Sequence, residues 1–280
     1  MSMSLPECEP RKNQMLTTHQ NTIPTQSWAL SEWRTPPSRP IARRGEVHVW
    51  RVSLIVSQTS KLEAILDRDE LARADRFSFQ KDRDRFIVAR GALRTILAGY
   101  FQTRPAALRF SYSSYGKPTV GDALAAAALR FNLSHANELA VVAVTCGREI
   151  GIDIEHIRAE FAAGEIAERY FSRREILQLH ALPADLQTEA FFNCWTRKEA
   201  YIKARGLGLS MPLDQFDVSL APGAPAALLD NRLDEGEVSR WSFQELFPAP
   251  DYAAALAVEG GFSALRLWDF AGGAPVSLPA

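Results

Sequence analysis

The chain has 280 residues, 46% of them hydrophobic and 23% charged, with a formal net charge of −1. That composition is ordinary for a globular chain of one large domain or two small ones, and the near-neutral balance excludes bulk nucleic-acid binding, so any recognition of phosphate has to be local. No apolar run is long enough to span a membrane and the N-terminus carries no apolar signal core, which reads as a cytoplasmic protein with no membrane partner.

Residues 1–45 are rich in Pro, Ser, Thr, Gln and Asn without a sustained period, the composition of a flexible extension. Within it, Trp28, Leu30 and Trp33 are apolar enough to dock on the folded part. Val47 to Val56 is β-branched and reads as a strand. Residues 60–75 read as one charged helix, and a second helix from Asp82 to Tyr100 points Phe86, Leu93 and Leu97 at a core, with most of Arg83, Arg85, Arg90 and Arg94 expected in solvent. Short strands are expected at 107–112, 129–133, 138–145 and 149–155, broken by turn residues at Ser113 to Pro118 and at His135 to Asn137. Then come helices at 161–170, 173–180 and 188–205, the last stopped by Gly206-Leu207-Gly208, and strands at 215–220, 239–244, 252–258 and 264–269.

Arg76-Phe77-Ser78 and Arg169-Tyr170-Phe171-Ser172 each precede a helix, a hint of internal duplication. The expected fold class is therefore α+β, as two similar α+β halves forming a pseudodimer, with an N-terminal half at 46–155, a C-terminal half at 156–280 and the site at their junction. Cys8, Cys146 and Cys194 form no CxxC pair, so neither zinc nor a disulfide framework is suggested; Cys146 and Cys194 read as inert core thiols.

Two stretches carry chemistry. In Gly151-Ile152-Asp153-Ile154-Glu155, apolar and acidic residues alternate, so a strand would turn Asp153 and Glu155 to one face and Ile152 and Ile154 to the other. Neighbouring carboxylates repel unless one is protonated or a cation lies between them, and hard oxygen ligands suit Mg²⁺ or Mn²⁺. In Trp195-Thr196-Arg197-Lys198-Glu199-Ala200-Tyr201-Ile202-Lys203, helical spacing puts Glu199 on the apolar stripe of Phe192, Trp195 and Ile202, where a carboxylate needs a partner. Taken alone, Glu199 and Lys203 also fit an ordinary i,i+4 surface pair.

Together these stretches resemble the paired signature of the 4'-phosphopantetheinyl transferases of the surfactin-synthetase-activating type, over about residues 68–220. The resemblance implies Mg²⁺-dependent transfer of the phosphopantetheine arm of coenzyme A to a serine of an apo acyl or peptidyl carrier protein, with release of 3',5'-ADP. It implies Asp153, Glu155 and Glu199 as metal ligands and Lys203 and Lys198 at phosphate oxygens; a neutral serine needs a base, for which Glu199 comes first, with Glu175 or a metal-bound water as alternatives. It also implies Ser134 and His135 at phosphate, Gly116-Lys117-Pro118 at the adenine and 3'-phosphate corner, and Arg85, with Arg73 behind it, at the 3'-phosphate. Glu70 departs from relatives that carry a lysine there. An acidic carrier would meet Arg173, Arg174 and Arg197, while Ile176, Leu177 and Leu179 are expected inside. A monomer suffices in such a pseudodimer. Two other classes fit the carboxylates: a divalent-metal phosphodiesterase, and a carrier- or coenzyme-binding module without turnover.

Overall fold

The computed structural model describes residues 32–55, 57, 59–121, 128–158 and 163–270. The expectations for Trp28, Leu30, Cys8, Val56 and the start of the helix at 161 lie outside the described residues.

The first part of the chain runs β1 (Glu46–Ser53), α1 (Ser60–Glu63), α2 (Arg68–Ala74), α3 (Gln80–Phe101), β2 (Phe110–Tyr112), β3 (Pro118–Val120), β4 (Leu129–Ala136) and β5 (Leu139–Cys146). The second runs β6 (Ile150–His156), α4 (Ala163–Tyr170), α5 (Arg173–Ala181), α6 (Ala184–Arg205), β7 (Phe216–Val218), β8 (Leu228–Asn231), α7 (Glu237–Arg240), β9 (Trp241–Leu246), β10 (Tyr252–Glu259) and β11 (Ala264–Phe270). A four-stranded sheet has the order β11-β1-β5-β4 and a three-stranded sheet the order β6-β10-β9.

Strand alternation sorts the side chains into layers. Trp50 and Val52 of β1 and Val142 and Val144 of β5 pack under α3. Their neighbours Val47, Val49, Val141 and Ala143 face the second sheet, meeting Ile150, Ile152 and Ile154 of β6 and Leu256 of β10. The far face of that sheet, with Ala253, Ala255 and Ala257, lies under α6. The order is helix, sheet, sheet, helix: two similar α+β halves back to back, with β6 buried on both faces.

The repeat extends to polar detail. Asp67 caps α2 in a capping box with Glu70, and Ser172 caps α5 in a capping box with Glu175. Glu70 is buried against Arg90 and Arg94 of α3, as Glu175 is against Lys198 of α6. Arg94 and Lys198 occupy the same place in their helices, counted from the first residues Gln80 and Ala184. The duplicated signature is thus the capping box. The Arg76–Ser78 and Arg169–Ser172 stretches precede different elements, α3 and α5.

Other expectations shift locally. The charged helix at 60–75 is two helices, because Asp67 starts a new one. Arg90 and Arg94 are buried rather than solvated, held by Glu70. The strand expected at 107–112 begins with a 3-10 turn, and β8 and α7 add to the expected elements. Leu177 is 63% exposed, facing outward from α5, while Leu179 packs inside. Cys146 and Cys194 are buried. Trp33 docks: its indole donates to the Phe247 carbonyl at 3.1 Å, and the Arg51 guanidinium lies 5.0 Å from its ring centroid. Beside it Arg34 pairs with the outer edge of β11. No described helix is long and apolar enough to cross a membrane.

Candidate active site

The site lies where β4 of the first half meets β6 and α6 of the second. Gly151 lets β6 lie directly on α6: a Cβ there would stand 2.1 Å from the Ala200 carbonyl oxygen and 2.3 Å from the Ala204 nitrogen. The Asn132 side chain accepts the Ile152 N–H at 2.9 Å and ties β4 to β6. With Ile152 and Ile154 in the central core, Asp153 and Glu155 turn toward α6 as the alternation predicts. Gly206, in the left-handed conformation at φ 65°, ends α6 just after Lys203.

Asp153 is the hub. Its Oδ1 accepts from the Ser134 hydroxyl at 2.9 Å and from the Lys203 ammonium at 2.5 Å, and Lys203 also donates to Ser134 Oγ at 2.9 Å. Its Oδ2 is buried without a hydrogen-bond partner. Burial, and then the charge of Asp153, push the Glu155 carboxyl up to about 7; Glu199 adds to this, while Lys203 and a hydrogen bond from Trp195 oppose it. Glu199 is likewise raised, by burial and then Asp153, with Lys203 opposing. Three carboxyl groups therefore share one pocket of charge with one lysine among them.

The donor set fits a hard divalent cation, which would satisfy the orphan Oδ2 and relieve the repulsion at Glu155 and Glu199. Among the described residues no group of three or more His, Cys, Asp or Glu side chains is arranged to hold a metal ion.

Cations gather on the β4 side. His135 is exposed as a residue, but crowding around its ring, then Lys203, Arg73 and Arg85, hold its imidazole below the ordinary value. Arg85 donates to Asn137 Oδ1 at 3.0 Å in the β4–β5 turn. A cavity of about 300 Å³ is lined by Arg73, Arg76, Arg90, Phe86 and Tyr112, among others. Glu70 also borders it with its carboxylate spent on Arg90 and Arg94, as do Asp67, which pairs with Arg94, and the exposed Asp69, so acidic groups stand beside the arginines of this cavity.

Lys117, in the turn after Gly116 (φ 81°) and before Pro118, places its ammonium 2.8 Å from Glu149 and 2.8 Å from the Ala204 carbonyl. It pins the β2–β3 hairpin to the end of α6.

Three expected residues are placed elsewhere. Lys198 is fully buried; its ammonium is taken by Glu175 at 2.7 Å and by the carbonyls of Leu213 and Phe216, which leaves none for a phosphate. Glu175 spends its oxygens on Lys198, Ser172 N–H and Val218 N–H, which removes it as a base. Arg197 is buried and donates to Ser219, so of the three expected surface arginines only Arg173 and Arg174 are exposed. Trp195, expected merely in the apolar stripe, is the partner of Glu155 and lies edge-on to Tyr170 at 5.7 Å.

Comparison with known proteins agrees over most of the chain. The family model described as 4'-phosphopantetheinyl transferase, N-terminal, matches residues 50–147, and that of the 4'-phosphopantetheinyl transferase superfamily matches residues 149–257. The 4'-phosphopantetheinyl transferase HetI of Nostoc sp. is 40% identical over 240 residues, 85% of this chain and 98% of the relative. The 4'-phosphopantetheinyl transferase Sfp of Bacillus subtilis is 33% identical over 163 residues, 58% of this chain and 70% of the relative. Among solved structures, the holo-[acyl-carrier-protein] synthase of Thermotoga maritima aligns at 22% identity with a TM-score of 0.32, over 40% of this chain and 63% of that one.

Proposed function

The chain belongs to the 4'-phosphopantetheinyl transferase superfamily, and from that premise we propose that it moves the phosphopantetheine arm of coenzyme A to a serine hydroxyl of an apo acyl or peptidyl carrier protein, releasing 3',5'-ADP. One observation carries the reading: Asp153, with one buried oxygen unpartnered and the other held by Lys203 and Ser134, stands among the proton-hungry carboxyls Glu155 and Glu199.

Asp153, Glu155 and Glu199 are the residues to hold Mg²⁺, with Mn²⁺ as a substitute. When bound, such an ion would supply positive charge to a pyrophosphate. Lys203 stands ready to pair with a phosphate oxygen, and Ser134 and His135 offer further donors at the end of β4. Arg73 and Arg85 surround His135 with positive charge, which suits the 3'-phosphate, and Lys117 with Gly116 and Pro118 sets the adenine corner between the halves. Glu199 is also the residue to take the serine proton. Because β4, β6 and α6 come from one chain, a monomer in the cytoplasm is sufficient.

The test is intact-mass spectrometry of an apo acyl carrier protein incubated with the chain, coenzyme A and Mg²⁺. The reading expects a mass gain of one phosphopantetheine arm that a chelator abolishes. No gain across several unrelated carriers would reject it.

A further inference from the structure

Lys203 pairs directly with Asp153 Oδ1 at 2.5 Å and donates to Ser134 Oγ at 2.9 Å, while Asp153 Oδ2 is buried without a partner. Its side chain is 30% exposed and lies in the last turn of α6, three residues before the Gly206 cap, so its ammonium has solvent to turn into without moving the helix. His135 follows Ser134 in β4, the residue to which Lys203 donates, and Lys203, Arg73 and Arg85 all act on its imidazole. The ammonium thus sits on the border between an anionic pocket and a cationic one.

A divalent ion and an ammonium cannot both settle on this carboxylate cluster without repelling each other across a few ångströms of partly buried protein. Asp153, which would bind the ion, is already paired with the lysine. Conversely, an anion bound beside His135, Arg73 and Arg85 attracts the same ammonium away from Asp153 Oδ1.

We propose that Lys203 is the resident counter-ion of the Asp153–Glu155–Glu199 cluster, that it competes with the divalent cation for Asp153, and that a phosphate-bearing ligand relieves the competition by drawing the ammonium to itself. This rests on the reading that the cluster takes a divalent ion and that the neighbouring basic residues take a phosphate ester. Metal and phosphate donor then bind cooperatively through a lysine that changes partner, in addition to any bond between them. Ser134 bonds to both Asp153 and Lys203 and keeps Oδ1 supplied with a donor when the ammonium leaves.

The experiment measures Mn²⁺ affinity of the full chain by calorimetry, without and with coenzyme A, for wild type, Lys203→Met, Lys203→Gln and Lys203→Arg. Without coenzyme A, the Met and Gln variants are expected to bind Mn²⁺ about tenfold or more tightly than wild type, and the Arg variant to stay near wild type. The factor by which coenzyme A tightens Mn²⁺ binding is expected to be smaller in the Met and Gln variants than in wild type. The Gln variant keeps hydrogen bonding to Asp153 and Ser134 and serves if the Met variant does not fold. Equal or weaker Mn²⁺ binding by a folded neutral variant, or an unchanged coenzyme A factor, overturns the inference. The readout is metal affinity, so a chain that transfers nothing yet shows the gain would sink the proposed function alone, and transfer without the gain would sink only this inference.

Discussion

Glu175 and Lys198 meet at 2.7 Å with neither side chain reached by solvent. Val218 N–H, Ser172 N–H and the carbonyls of Leu213 and Phe216 complete both ends, so the pair locks α5, α6 and β7 together. Removing one partner strands the other as a buried charge. Lys198→Met is expected to cost about 3–5 kcal/mol in urea unfolding. A lysine that touched phosphate would instead raise the KM for coenzyme A in a protein of unchanged stability.

Gly151 sets the spacing between β6 and α6, and with it the distance from Asp153 and Glu155 to Glu199 and Lys203. Gly151→Ala has no flexible neighbour to displace, because the atoms it meets are the backbone of Ala200 and Ala204. The expected result is a loss of about 3 kcal/mol or more, measured by thermal or urea unfolding, with Mn²⁺ affinity falling alongside. A stable variant with normal metal affinity would contradict this packing.

How much of this was legible in the sequence depended on how far away each residue's partner lies. The alternation of Ile152, Asp153, Ile154 and Glu155 is local, and it placed both carboxylates on the α6 side. The helix of Glu199 and Lys203 was likewise visible in its own spacing, as was its stop at Gly206. Lys198 could not be told from Lys203 in that way, since its partner Glu175 lies on α5 and its acceptors at Leu213 and Phe216. Arg90 and Arg94 look solvated on an isolated helix and are buried only because Glu70 turns inward to meet them. Lys117 draws its partners from 32 and 87 residues away, beyond anything a turn motif reveals.

The pH dependence of stability follows from Glu155. Its carboxyl is held at about 7, against an ordinary 4.5, by burial and then by Asp153. Between those values the folded chain holds a proton that the unfolded chain releases, so this contribution is complete below the lower value and is lost as pH rises through the upper one. In a chelator, stability of the wild type is expected to fall by roughly 1–2 kcal/mol more than that of Glu155→Gln between about pH 5 and about pH 7.5. Urea unfolding of both proteins at the two pH values measures the difference. Parallel curves would mean that Glu155 titrates normally.

On the proposed reaction the acceptor is a protein that is acidic around its serine, and α5 offers a surface to match. Tyr170, which ends α4, lies edge-on to Trp195 of α6 at 5.7 Å, and α5 begins three residues later. Arg173 and Arg174 stand exposed there beside Leu177, and Arg232, held by Asp217 at 2.8 Å, lines the same hollow. Charge complementarity acts on encounter with the carrier and leaves the chemistry at Asp153 and Glu199 alone. Reversing both charges, Arg173→Glu with Arg174→Glu, is therefore expected to raise the KM for an acyl carrier protein about tenfold. The kcat and the KM for coenzyme A should change little. The penalty should shrink as salt screens the exposed charges. Steady-state transfer assays at low and high ionic strength read all three quantities, and an unchanged carrier KM at low salt would place the docking surface elsewhere on the chain.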